Sequence, residues 1–116
     1  MQIQYLEIVT PDVSAVCATY ARVHRVTFSE PDAGLGNART AVLPNGGLLG
    51  VRAPMHEAEK PVVRPYLLVQ DIQAAVQAAE AAGGKIAHPP LEIPGHGTFA
   101  IFIQGGLHHG LWQIPE

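Results

Sequence analysis

The sequence predicts an α+β domain made of two βαβββ modules, and three observations lead to that prediction: composition, element order and an internal repeat. The chain has 116 residues, of which 47% are hydrophobic and only 15% are charged. This balance excludes a disordered chain, and the length suits one domain with a buried core. The predicted order of strand, helix and three strands occurs twice.

The first module is predicted over residues 1–53. Aromatic and β-branched residues predict a strand over residues 3–9, and Asp12 is expected to cap the helix that follows. Residues 13–24 form that helix, because their apolar positions recur at steps of three and four. Three short strands separated by proline- and glycine-containing turns are then predicted at residues 26–30, 39–43 and 48–52.

A polar connector over residues 54–61 separates this module from the second, which is predicted over residues 62–116. The second module again begins with a strand, and Asp71 is expected to cap an alanine-rich helix that ends at Gly83-Gly84. The predicted elements are a strand at 62–69, a helix at 72–82, strands at 85–88, 98–103 and 107–114, and a proline-containing loop between 88 and 98.

The two modules are related by a fixed offset in the sequence. Asp12 and Asp71 are 59 residues apart, and the same offset carries Gly46-Gly47-Leu48 onto Gly105-Gly106-Leu107. Two separated matches at one offset favour duplication over coincidence.

Composition also limits the partners and the compartment. The formal net charge is −3, and the seven Lys and Arg residues are scattered, so we expect no nucleic-acid partner. No apolar run is long enough to span a bilayer, and the N-terminus lacks the features of a signal peptide, so a cytoplasmic location away from membranes is expected. The single cysteine, Cys17, excludes an internal disulfide and is predicted to be a core residue.

The paired modules resemble the vicinal oxygen chelate superfamily, which includes glyoxalases, extradiol dioxygenases and bleomycin-resistance proteins. The segments that carry the resemblance are IVTPDV, YLLVQDIQAAVQAAEAAGGKI, PLEIPGHGTFAIF and the closing GLW. The resemblance implies a cup-shaped mixed sheet with helices outside, a small-molecule ligand and a homodimer. One departure is Arg25, which stands where relatives usually have the glycine that ends the first helix.

The resemblance also implies where a metal would be held. The ligand positions of metal-using relatives fall on Tyr5, Arg64, Gly110 and either Gly50 or Val51. Arginine, glycine and valine side chains offer no usable donor to a metal ion. We therefore expect no metal and no other cofactor in the usual place.

Alternation along strands predicts which side chains face the cup. Residues with the parity of the two early ligand positions face inward, while Leu6, Ile8, Leu67 and Val69 pack beneath the helices. The inward set is Tyr5, Glu7, Val9, Arg64, Tyr66, Leu68, His108 and Trp112.

Glu7 is the most informative member of this set, because a carboxylate on an apolar strand needs a partner, and Arg64 is the expected one. Two interpretations stay open. Glu7 is either half of an internal ion pair or at a solvated edge, or it is a hydrogen-bond acceptor or general base that works with His108 as a second titrating group.

Two histidines and two aromatic residues are further candidates for the cup. His108 is a better cup residue than His109, since adjacent strand residues face opposite ways. His96, between Gly95 and Gly97, is either a surface turn or a gate on the cup. Tyr66 and Trp112, with Phe99 and Phe102 nearby, are either apolar walls of a ligand pocket or core residues, and core packing is favoured for the two phenylalanines.

The leading functional hypothesis is a small-molecule binding protein or a metal-independent enzyme, with binding slightly favoured. Its polar cup is lined by Glu7, Arg64, Tyr66 and His108, with Glu7 and His108 as catalytic candidates and with further ligand contacts from Tyr5, Trp112 and His96. The alternative is a metal-dependent lyase or dioxygenase with a displaced site made of His108, His96 and Glu7. A third possibility is a partner module encoded in a biosynthetic operon.

Overall fold

The computed structural model describes all 116 residues and contains seven strands and two α-helices. The elements are β1 (Ile3–Val9), α1 (Val13–His24), β2 (Arg39–Val42), β3 (Leu48–Arg52), β4 (Val62–Leu68), α2 (Ile72–Ala81), β5 (Lys85–Ile93), β6 (Gly97–Gln104) and β7 (Leu107–Gln113). The predicted α+β class is confirmed, as is the helix that follows the first strand of each module. Neither helix is long and apolar enough to cross a membrane.

The chain divides into two units, and each has its own strand order. The first unit is Tyr5–Val63, in which β1 runs parallel to β3 and β3 runs antiparallel to β2. The second unit combines Met1–Gln4 with Arg64–Glu116, and in it β4 runs parallel to β7, followed by β6 and then β5 as antiparallel neighbours.

Each unit buries one face of its strands beneath its helix. In the first unit the buried core is Ile8, Cys17, Leu49 and Val51, and in the second it is Ile72, Val76, Ala100 and Leu111. Leu6 packs on the first core and Val69 on the second, as alternation predicted. Burial raises the pKa of the Cys17 thiol, in keeping with its place in the core.

The prediction of a strand at residues 26–30 is wrong. Ser29 does approach β2, since its amide donates to the carbonyl of Thr40 at 2.8 Å. The return bond, however, runs from the Thr40 amide to the Ser29 hydroxyl at 2.9 Å. A side chain therefore takes the place of a backbone acceptor, and Pro31 follows within two residues, so no regular ladder forms.

The prediction that a loop begins at Pro89 is also wrong, because β5 continues through Pro89 and Pro90 to Ile93. In the strand order of the second unit β5 is the outer strand, where a missing amide donor is tolerated. Its register with β6 shifts between Ile86 and His88 and again between His88 and Leu91.

The helix ends follow the sequence signals in part. The Asp71 side chain accepts from the amide of Ala74 at 3.1 Å, as a capping residue does. Asp12 occupies the predicted capping position, but its side chain makes no capping hydrogen bond. Arg25 ends α1 in the left-handed conformation, with φ of 55°, which costs a non-glycine residue about 1 kcal/mol.

Candidate functional site

A buried ion pair lies on the face of the first unit that is turned away from α1. Nε of Arg52 donates to Oε2 of Glu7 at 2.8 Å, and the two side chains are 6% and 9% exposed. Glu7 lies midway along β1 and Arg52 is the last residue of β3, which brings the two together through the parallel register Val9 to Arg52. The pair thus occupies strand positions opposite the apolar core.

A second carboxylate binds the same guanidinium. Nη1 and Nη2 of Arg52 donate to the two oxygens of Glu59 at 2.8 and 2.7 Å, a bidentate geometry. Oε1 of Glu59 also accepts from the amide of Met55 at 2.7 Å, and Nη1 of Arg52 reaches the carbonyl of Ala53 at 3.2 Å. Arg52 therefore holds Ala53 and the connector, residues 54–61, against the end of β3.

These contacts favour the charged forms of both Glu59 and Arg52. The hydrogen bond from Arg52, above all, lowers the pKa of Glu59 from its ordinary value near 4.5 to about 2, although burial opposes the shift. The hydrogen bond to Glu59 is likewise the main reason why the pKa of Arg52 is raised. Both groups are charged near neutral pH.

Tyrosine rings cover the two glycines that fall at late metal-ligand positions. A Cβ atom on Gly50 would overlap the hydroxyl of Tyr5, and one on Gly110 would lie 2.6 Å from Cγ of Tyr66. Both glycines are buried, and each is required for the close approach of its tyrosine. The residues at these positions do not fit a metal ion, because the glycines offer no donor and aromatic rings fill the space beside them.

The second unit carries an aromatic cluster on the face turned away from α2. Tyr66 contacts Trp112 and Phe99 edge to face, with ring centroids 5.7 and 6.0 Å apart, and the ring of His88 lies tilted against Phe99 at 4.7 Å. Tyr66 and Trp112 are 5% and 4% exposed. The indole Nε1 of Trp112 donates to the carbonyl of His96 at 3.0 Å, which anchors the turn before β6.

The strand registers show that the ion pair and the aromatic pair occupy corresponding positions. In the first unit Glu7 is opposite Gly50 and Val9 is opposite Arg52. In the second, Tyr66 is opposite Gly110 and Leu68 is opposite Trp112. Glu7 thus corresponds to Tyr66 and Arg52 to Trp112, so the duplicated position is polar in one unit and aromatic in the other.

The structure places the remaining predicted site residues as follows. Arg64 is half-buried on β4, and His108 is exposed on β7 opposite Ile103. His109 faces the other way, since it stacks on Phe102 and its Nε2 lies 3.0 Å from the carbonyl of Gln104. Arg64 and His108 belong to the second unit, so their association with Glu7 stays a prediction.

Three contributors to these clusters were not among the predicted site residues: Arg52, Glu59 and His88. Arg52 carried a usable signal, since it ends a predicted strand two residues after Gly50 and shares its parity. Glu59 carried none, because a carboxylate in a polar connector looks like a solvated charge. No group of three or more His, Cys, Asp or Glu side chains is placed to hold a metal ion.

No protein-family profile and no curated protein sequence matches this chain. Solved structures do match. A hypothetical protein from Bacillus halodurans superposes with a TM-score of 0.79 at 11% identity, covering 99% of this chain and 95% of that one. Methylmalonyl-CoA epimerase from Mycobacterium tuberculosis gives 0.77 at 13% identity, with 98% and 88% covered.

A third similar structure is the Streptomyces coelicolor methylmalonyl-CoA epimerase, a variant in complex with 2-nitronate-propionyl-CoA. It gives a TM-score of 0.73 at 14% identity and covers 100% of this chain and 99% of that one. At these identities the likeness shows the fold, and it extends over nearly the whole length of each chain.

Proposed function

We propose that this chain belongs to the vicinal oxygen chelate superfamily and binds a small organic molecule without a metal. The ligand contacts lie on the strand faces turned away from the helices. Support comes from the shared fold and from the small-molecule complex formed by one similar structure, the epimerase with 2-nitronate-propionyl-CoA. Pockets for such ligands combine apolar walls with a few placed polar groups.

The ion pair of Glu7 and Arg52 carries this proposal. Burying two charges at 9% and 6% exposure costs desolvation energy that their attraction barely repays, and apolar residues of the same volume would give equal or greater stability. A polar pair kept where packing alone would favour apolar side chains is better explained by recognition. A guanidinium held in place by a carboxylate is a preorganised donor.

The proposal excludes a metal at the usual positions because of what occupies them. Gly50 and Gly110 offer no donor atoms and lie directly beneath the rings of Tyr5 and Tyr66. We infer that the positions which hold a metal in related proteins serve other purposes here. In the first unit they support a hydrogen-bonded ion pair, and in the second they support an aromatic cluster.

Binding is favoured over catalysis by the arrangement around Glu7. Its Oε2 already accepts from Arg52, so its clearest role is to hold the guanidinium. His108, the other catalytic candidate, is exposed near the start of β7, just after the turn that contains Gly105. Neither side chain is therefore assigned a proton-transfer step.

A fragment screen on ¹⁵N-labelled protein tests the proposal. We expect fragments to shift the amides of Gly50 or Gly110 and to leave the exposed helix amides unchanged, with or without a chelator. Glu7→Gln should weaken this binding, whereas Glu57→Gln, an exposed connector change of the same chemistry, should not. Fragments that shift only surface amides, or none at all, would refute it.

Elemental analysis after dialysis addresses the alternative, a metal-dependent lyase or dioxygenase using His108, His96 and Glu7. A stoichiometric divalent ion that survives dialysis, with fragment binding lost on chelation, would favour that alternative. The homodimer is also part of the proposal, and sedimentation that shows only monomer at micromolar concentration would remove it.

A further inference from the structure

The contact between Arg52 and Glu59 has the geometry of a bound ligand. Both outer nitrogens of the guanidinium donate to the two oxygens of one carboxylate, at 2.8 and 2.7 Å. Planar, bidentate pairing is the way in which arginine recognises a carboxylate group on another molecule. Here the carboxylate belongs to the chain itself.

Charge balance indicates that Glu59 is not needed to neutralise Arg52. The guanidinium already has a carboxylate partner in Glu7, fixed on β1. Glu59 adds a second carboxylate, so the three side chains together carry one negative charge in excess. Removing the charge of Glu59 would still leave Arg52 with a charged partner.

The segment that carries Glu59 is weakly attached. Residues 53–61 contain no helix or strand, and Met55, His56 and Glu57 are exposed. The hydrogen bonds that tie this segment to the strands come from Arg52, to Glu59 and to the carbonyl of Ala53. Of the three charged side chains Glu59 is also the most exposed, at 17%.

From these observations we propose that Arg52 is a carboxylate-binding residue whose outer nitrogens are occupied by Glu59, and that a ligand carboxylate binds by displacing Glu59 and releasing the connector. Glu7 stays in place and keeps Arg52 oriented. The exchange conserves charge at the outer nitrogens, because one carboxylate replaces another. This inference rests on the proposed small-molecule function and adds the class of ligand.

Competition with Glu59 sets the expected magnitude. A carboxylate on the same chain acts at an effective concentration in the millimolar range or above, so it weakens the binding of an external carboxylate to the outer nitrogens of Arg52 without abolishing it. Removing its charge should tighten binding of a simple carboxylate by about tenfold or more. An uncharged probe of the same shape, such as the corresponding amide, should bind no more tightly after this change.

The test is an NMR titration with propionate, and propionamide serves as the neutral probe. The reporters are the Nε–H resonance of Arg52 and the amide of Met55, which donates to Glu59 and registers its release. In the unmodified chain propionate should shift both resonances together. Glu59→Gln should bind propionate about tenfold more tightly, and Glu57→Gln should match the unmodified chain. In Arg52→Met, which lacks the Nε–H reporter, propionate should no longer shift the amide of Met55.

Two results would overturn the inference: equal propionate affinity in Glu59→Gln and Glu57→Gln, or no propionate response of Arg52 and Met55 in the unmodified chain. If Glu59→Gln fails to fold, the titration of the unmodified chain decides the matter alone. Fragments that bind near Gly50 or Gly110 without affecting Arg52 would reject the carboxylate site but keep the proposed function, whereas absence of any binding would reject both.

Discussion

Arg52 joins Glu7 on β1 to the connector, because its Nε reaches Glu7 at 2.8 Å while its two outer nitrogens hold Glu59. One guanidinium thus fixes a strand position and a segment without secondary structure at the same time. The consequences for stability and for pH dependence differ between the three charged residues.

Replacing Arg52 by methionine should destabilise the first unit strongly. The change keeps the aliphatic stem but leaves two carboxylates at low exposure without their counter-charge, which costs about 3–5 kcal/mol in the free energy of unfolding. Chemical denaturation measures the loss.

The control for this change is Arg22→Met on the exposed surface of α1, which should alter stability by less than about 0.5 kcal/mol. The variant in which Arg52→Met is combined with Glu7→Gln and Glu59→Gln should recover much of the loss. An Arg52→Met protein as stable as the unmodified chain would show that the pair is not buried in solution.

Low pH should destabilise the folded protein, because Glu59 becomes protonated. Its pKa is about 2 in the folded protein and near 4.5 when unfolded, so its contribution is complete above pH 4.5 and is lost as the pH falls toward 2. Over this range Glu59→Gln should reduce the pH dependence of the unfolding free energy by up to about 3 kcal/mol.

Denaturation curves at several pH values give this comparison, with Glu57→Gln as the matched variant. Arg52, the amide of Met55 and His56 act on the carboxyl group of Glu59 and are the same in both proteins, so a difference between the variants belongs to position 59. Identical pH profiles for the two variants would mean that Glu59 is solvated rather than paired.

The repeat is the part of the architecture that the sequence predicts best. The offset between Asp12 and Asp71, together with helix periodicity, locates both helices and the strand that precedes each of them, because those features depend on local pattern. Two errors have a common cause. At Ser29 and at Pro89, the outcome depends on which neighbour supplies or lacks a hydrogen bond, and that information is not local.

The candidate site was predictable only in part for the same reason. Alternation along β1 identifies Glu7 as a residue on the face away from α1, but its partner Arg52 is 45 residues away and depends on the register of β3. Glu59 lies in a connector without periodicity, so no pattern indicates that its carboxylate folds back onto Arg52.

Gly110→Ala should destabilise the second unit, since the added methyl group would lie 2.6 Å from Cγ of Tyr66. Relieving this overlap requires movement of a ring that also contacts Trp112, at a cost of about 1–3 kcal/mol. A double-mutant cycle with Tyr66→Ala checks the cause. The alanine at position 110 should cost clearly less once the ring is gone. Additive effects would contradict the role of the ring and would assign the cost to the backbone carbonyl of Pro65, which would lie 2.7 Å from the added methyl group.

The turn that contains His96 should loosen when the indole donor of Trp112 is removed. Trp112→Phe keeps an aromatic ring but deletes the bond from Nε1 to the His96 carbonyl, which is worth about 1 kcal/mol. Hydrogen exchange at the amide of His96, which is bonded to the carbonyl of Ile93 at 2.9 Å, reports the opening of this turn.

His96→Ala is the matched control, because it removes the imidazole and leaves the backbone carbonyl that accepts from the indole. Faster exchange in Trp112→Phe with unchanged exchange at that position in His96→Ala is the expected outcome, and equal acceleration in both would assign the turn's order to the imidazole instead.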